Sequence, residues 1–224
     1  MTRTRLTLAL AAALALSGPA FAQQDIDKVN GSITAEAGQA YGDLETVNGS
    51  IRLEDSAQVE DASTVNGSIK GGDAVQARSL DTVNGSIRLG ERARIAGDLE
   101  TVNGSIFIGR GSTVGGDLTT VSGSIGIVDT DLGGSIETVR GDITVGVGSH
   151  VKGGIHIEKP NNKGWNFNFG KQRPPRVVIG PDSVVEGPLV FEREVKLYVH
   201  DSARIGKVTG ATAIAFSTPT PPED

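Results

Sequence analysis

Apolar residues recur along this chain in pairs spaced two apart, with turn residues between the pairs. One stretch places them at Leu44, Val47, Ile51, Leu53, Ala57, Val59, Ala62 and Val65. An amphipathic helix would need spacings of three and four over a dozen residues, without Asn-Gly in the middle. The pairs Ile51/Leu53 and Ala57/Val59, separated by Asn48-Gly49 and Asp55-Ser56, instead predict short strand, corner, short strand.

The pattern repeats. Val29-Asn30-Gly31-Ser32-Ile33 returns at Val47, Val65, Val83 and Val102. Degenerate copies follow at Val121-Ser122-Gly123-Ser124-Ile125 and Val139-Arg140-Gly141-Asp142-Ile143, the successive starts being 18, 18, 18, 19, 19 and 18 residues apart. A near-constant period of this kind marks a repeat architecture. A finer period of six (Val47, Leu53, Val59, Val65) gives each coil three sides. The predicted fold is all-β, a single parallel β-helix (β-solenoid) of about 18 residues per coil, with rungs about 4.8 Å apart.

Stacking predicts three inward columns. They run through Ile26, Leu44, Ala62, Leu80, Leu99, Leu118 and Ile136; through the seven valines from Val29 to Val139; and through the seven isoleucines from Ile33 to Ile143. No coil could bury its apolar face alone. The 19-residue coils carry an extra residue at the corners Ala96-Gly97-Asp98 and Gly115-Gly116-Asp117. The texture continues through Ser149–Ile155, Ile179–Leu189 and Val199–Ile205, interrupted at 158–176. The expectation is nine or ten coils, a rod on the order of 45 Å.

The Ile-Gly-x-x-x-x-Val-x-Gly texture of residues 177–208 resembles the bactofilins, polymer-forming bacterial β-helical proteins. The Gly-Asp-Leu-Glu-Thr-Val-Asn-Gly-Ser-Ile units at Gly42–Ile51 and Gly97–Ile106 resemble exported solenoids of the adhesin-repeat type. The resemblance covers about residues 25–208 apart from the interruption. It implies a right-handed β-helix without catalysis.

The N-terminus changes the picture of where the rod works. Arg3 and Arg5, the apolar run Leu6–Leu16, the break Ser17-Gly18-Pro19 and the small-x-small Ala20-Phe21-Ala22 read as a signal peptide cleaved before Gln23. Eleven apolar residues fall short of a membrane span. The expected organisation is a signal peptide at 1–22, a solenoid at 23–210 with an inserted loop at 158–176, and a disordered tail at 211–224. The expected location is a bacterial periplasm or cell surface. The absence of Cys excludes disulfides and thiolate metal sites. A net charge of −6 argues against nucleic acid or an anionic membrane as partner.

The candidate chemistry is sparse. The Asn ladder (Asn30, Asn48, Asn66, Asn84, Asn103) and Arg140-Gly141-Asp142 read as corners, where Asn-Gly accepts left-handed backbone and stacked amides bond one another. Two acidic columns flank the inward Leu column. One includes Asp43, Asp61, Asp98 and Asp117; the other includes Glu45, Asp81 and Glu100. A basic column, Arg52, Lys70 and Arg88, lies on the next strand. Such a surface is either a solvated face or a stripe for divalent cations or the basic face of a neighbouring rod, the last weakening with salt. The insert gathers Lys163, Trp165, Phe167, Phe169, Lys171 and Arg173. It is either a loop folded on the rod or a patch for sugar rings, anionic polymers or a partner. His150, His156 and His200 do not converge as zinc ligands, and Asp129-Thr130-Asp131 lacks the rest of a calcium loop. No serine has a nucleophile-elbow context. No catalytic residue, metal or cofactor is expected. The functional expectation is a non-enzymatic exported scaffold or adhesin-like surface of the cell envelope, capable of self-association or of holding an envelope polymer or protein. The alternatives are a polymer-forming filament protein and a carbohydrate-active enzyme on a β-helix.

Overall fold

The computed structural model describes residues 24–160 and 173–222, and over them the regular structure is all β. The chain winds through three parallel sheets in turn. The first sheet has ten strands, from Gln24–Asn30 to Val208–Thr209; the second has ten, from Ile33–Ala35 to Ala213–Phe216; the third has seven, from Gln76–Ala77 to Arg204–Ile205. Each strand pairs with its equivalent one coil away, so the molecule is a β-solenoid of about ten turns.

Two of the three expected inward columns are present. Leu44, Ala62, Leu80, Leu99, Leu118 and Ile136 stack in register and are fully buried. So are Ile33, Ile51, Ile69, Ile87, Ile106, Ile125 and Ile143. The extra residue of the longer coils sits where expected, between the third sheet and the first. There Ile95 and Leu99 pair with Ala77 and Leu80, which are one residue closer together in sequence.

The valine column is not inward, and this corrects the sequence reading. Val47, Val65, Val83, Val102 and Val121 are 40–44% exposed, and Val29 is 68% exposed. Strand side chains alternate between faces. Leu44 points in, so Thr46 points in and Val47, three residues from Leu44, points out. The inward column is threonine: Thr46, Thr64, Thr82, Thr101, Thr120 and Thr138, all buried. Apolar character suggested the wrong residue, whereas parity selects the threonine. Each hydroxyl from Thr46 to Thr120 donates to the carbonyl of a corner glycine one coil away, as Thr64 does to Gly49 at 2.8 Å.

Corners close the three sides. The Asn ladder is bonded as expected, Asn66 Nδ2 donating to Asn48 Oδ1 at 2.9 Å and Asn103 Nδ2 to Asn84 Oδ1 at 3.0 Å. In the Val-x-Gly-x-Ile corners positive φ is confined to Gly31, Gly123 and Gly141; most of the left-handed backbone falls elsewhere. It occupies the corner between the second and third sheets, at Gly38, Ser56, Ala74, Arg92, Gly111, Asp129, Gly148 and Asp182. In the Asn-Gly corners, Gly49, Gly67, Gly85 and Gly104 are required by close approach: a Cβ there would strike the backbone of the next stacked glycine.

Past Gly210, where a disordered tail was expected, Ala213–Phe216 adds the last strand of the second sheet, pairing with Lys196–His200. Phe216 packs edge-on against His200, with ring centroids 5.1 Å apart. The four-residue alternation Ala-Ile-Ala-Phe is a strand pattern that the following prolines obscure. The segment 1–22, read as a signal peptide, lies outside the described residues.

Candidate functional site

The outward side chains of the first sheet build a groove along the rod. Two columns form it, two residues apart on each strand. One is Asp27, Glu45, Ser63, Asp81, Glu100 and Thr119; the other is the exposed valine row. The backbone of the threonine column lies between them as the floor. The groove encloses about 710 Å³ and runs from the first coil to the sixth, about 24 Å in five rung steps. From Ile33 on, the Leu and Ile side chains of these coils are packed inside, so a linear row of half-exposed valines is an unpaired apolar surface.

The carboxylates of the groove differ from those of the other acidic column. Asp43, Asp61, Asp98 and Asp117 sit at the corner before the first sheet, where most cap a backbone N–H of the adjacent coil. Asp61 N donates to Asp43 Oδ1 at 3.3 Å, Asp117 N to Asp98 Oδ1 at 2.7 Å, and Ser135 N to Asp117 Oδ1 at 2.6 Å. Asp61 also takes both arms of Arg78, with Nε at 2.9 Å from Oδ1, and this pairing raises the Arg78 pKa above its ordinary value. That column is therefore engaged in closing corners. Glu45, Asp81 and Glu100 point outward into the groove. Burial pushes the Asp81 carboxyl up from 3.8 to about 6, helped by the negative charges of Glu100, Asp61 and Asp98.

Around the Asn-Gly-Ser corner, on the second sheet, Arg52, Lys70 and Arg88 stack in register as the expected basic column, all exposed. Arg88 lies over the Phe107 ring at 5.0 Å, and Arg52 Nε is 3.8 Å from Glu54.

The long insertion leaves from the eighth coil, two coils beyond the end of the groove. Ile155–Ile157 belongs to the first sheet and Arg176–Ile179 to the second, so residues 158–175 replace the Val-Asn-Gly-Ser corner of that coil. Its described flanks are anchored. Lys159 N donates to Glu192 Oε2 at 3.2 Å, Arg173 reaches Asp142 Oδ2 at 2.5 Å, and Arg176 N donates to Asp142 Oδ1 at 2.9 Å. The Lys159 amide and His156 hold the exposed Glu192 carboxyl below its ordinary pKa. Lys163, Trp165, Phe167, Phe169 and Lys171 lie outside the described residues. Two candidate sites that the sequence presents as separate thus share one corner column.

The histidines stay apart. His150 bonds Glu186 at 2.7 Å on the third sheet, His156 faces Glu192 at 3.4 Å on the first, and His200 bonds Ser202 at 2.8 Å. Among the described residues no three His, Asp or Glu side chains gather to hold a metal ion, and no helix is long and apolar enough to cross a membrane. No family model, curated protein or solved structure matches the chain.

Proposed function

We propose that this protein is a non-enzymatic, exported β-solenoid that serves as a scaffold or adhesin-like surface in the bacterial cell envelope, with the valine groove as its contact face. The observation that carries this reading is the valine row. Six coils repeat an apolar residue at an outward position, where exposure costs solubility and contributes nothing to the core. Repetition along the axis suits an extended or periodic partner better than a small ligand. The carboxylate rim gives that partner a preference for positive charge.

The test is a triple substitution, Val65→Ser, Val83→Ser and Val102→Ser. The variant should keep the β-sheet circular dichroism spectrum and melt within a few degrees of the parent. It should lose co-sedimentation with isolated cell envelopes by tenfold or more. Undiminished co-sedimentation removes the groove from the function. Sequencing the N-terminus of the protein recovered from the periplasm should begin at Gln23; recovery only from cytoplasm, starting at Met1, would overturn export.

A further inference from the structure

We infer that the groove receives a second copy of this chain, two rods lying side by side and parallel. The basic ridge of Arg52, Lys70 and Arg88 of each would enter the groove of the other. This rests on the reading of the groove as a contact face and names its occupant.

The argument begins with the order of positions around one coil. Going round the corner, the outward residues of the second coil are Glu45, Val47, Asn48 and then Arg52; those of the fourth are Asp81, Val83, Asn84 and Arg88. Acid stands on one flank of the corner and base on the other, with valine and asparagine between. A two-fold axis parallel to the rods, passing between two facing Asn rows, exchanges the flanks. It brings the acidic flank of each copy onto the basic flank of the other at the same height. Glu45 then meets Arg52 of the second copy, and Asp81 meets Arg88 of the second copy. An antiparallel pair, whose two-fold runs across the rods, would set acid against acid.

The groove's shape suits this occupant. Arg and Lys carry apolar stems that lie on apolar surface while the charged ends reach polar groups. The valine row supplies the apolar wall and the carboxylates supply the facing rim. Rungs of the two copies share one spacing, so the two charge pairs form together, while Lys70 between them meets Ser63. The basic ridge spans only the second to fourth coils, so the charged contact runs over two rung steps, about 10 Å, shorter than a standard stable interface of ~800 Å² per copy requires. The pairing is accordingly weak and concentration-dependent.

Sedimentation velocity on the exported chain decides it. The parent should shift from monomer towards dimer as concentration rises from micromolar to millimolar. An acidic variant, Arg52→Glu with Arg88→Glu, and a basic variant, Glu45→Lys with Asp81→Lys, should each stay monomeric over that range, at least tenfold weaker. Mixed one to one, they should dimerise again, since each then meets the opposite charge on both flanks. Circular dichroism of each variant alone confirms that the solenoid is intact. A parent monomeric at millimolar concentration, or a mixture that stays monomeric, overturns the pairing. If the rods stay monomeric while the triple valine variant still loses envelope binding, the contact face stands and its occupant is a foreign basic segment.

Discussion

At the scale of single residues, the threonine column shows how a repeat satisfies its own backbone. A buried carbonyl without a donor costs about 1–3 kcal/mol, and here a hydroxyl from the adjacent coil supplies one. Thr82 donates to Gly67 O at 2.8 Å, whereas the buried Thr138 hydroxyl has no partner. Valine has nearly the same shape as threonine. Thr82→Val should therefore lower stability by about 1–2 kcal/mol, while Thr138→Val should be neutral or slightly stabilising. Urea unfolding followed by circular dichroism measures both. Equal losses at the two sites would mean that the hydroxyl bond is not what the column contributes. The same threonines carry the parity signal. They recur two residues after each inward Leu, and so share its face once the strand is formed. The valine beside them is more apolar, and hydrophobicity read without parity selects it.

At the scale of the corner, two devices divide the work. The corner between the second and third sheets accepts left-handed backbone, and Ser56, Ala74, Arg92, Asp129 and Asp182 adopt it without being glycine. The Asn-Gly corner has no room for a side chain. A Cβ on Gly85 would fall against the Gly67 carbonyl of the neighbouring coil. Gly85→Ala should thus separate two rungs and cost more than about 3 kcal/mol, a size reserved for core or backbone disruption. Ala74→Gly, by contrast, relieves a left-handed alanine and should raise stability by up to about 1 kcal/mol. Thermal melting of the two variants should move in opposite directions. The Asn-Gly dipeptide in the sequence marks its own corner as a turn. It does not distinguish glycine chosen for its dihedral angle from glycine chosen for closeness, because that depends on what lies one rung away.

For the whole molecule, charge organises the surface that packing leaves over. The first described coil places Lys28 at the position where other coils have the inward threonine, its Nζ donating to Ser32 O at 2.8 Å. This sets a charge beside the end of the core, a device that discourages further strands from adding. Along the groove, Asp81 ionises at about 6 in the folded chain instead of 3.8. Between those values the unfolded chain binds fewer protons than the folded one, so this group makes stability fall as pH rises from about 4 to about 6. With solvent screening discounted, the effect is on the order of 1 kcal/mol. Asp81→Asn should remove that part of the slope and be more stable than the parent at pH 7. A parent and variant with parallel stability-against-pH curves would exclude it.

The repeat spacing, the stacked Leu and Ile columns, the Asn ladder and the register of the acidic and basic rows are determined by sequence alone. A side chain that recurs every 18 or 19 residues must meet its own copies when strands pair in parallel. Three matters were decided only in the tertiary structure. Strand parity turned the valines out and the threonines in. Coil closure assigned one acidic column to capping backbone amides and left the other facing a groove. The corner replaced by residues 158–175 put the insertion on the corner beside the groove, two coils past its end. Each of these depends on how a side chain is oriented around the rod, and a linear period records the position of a residue along the coil but not the direction in which it points.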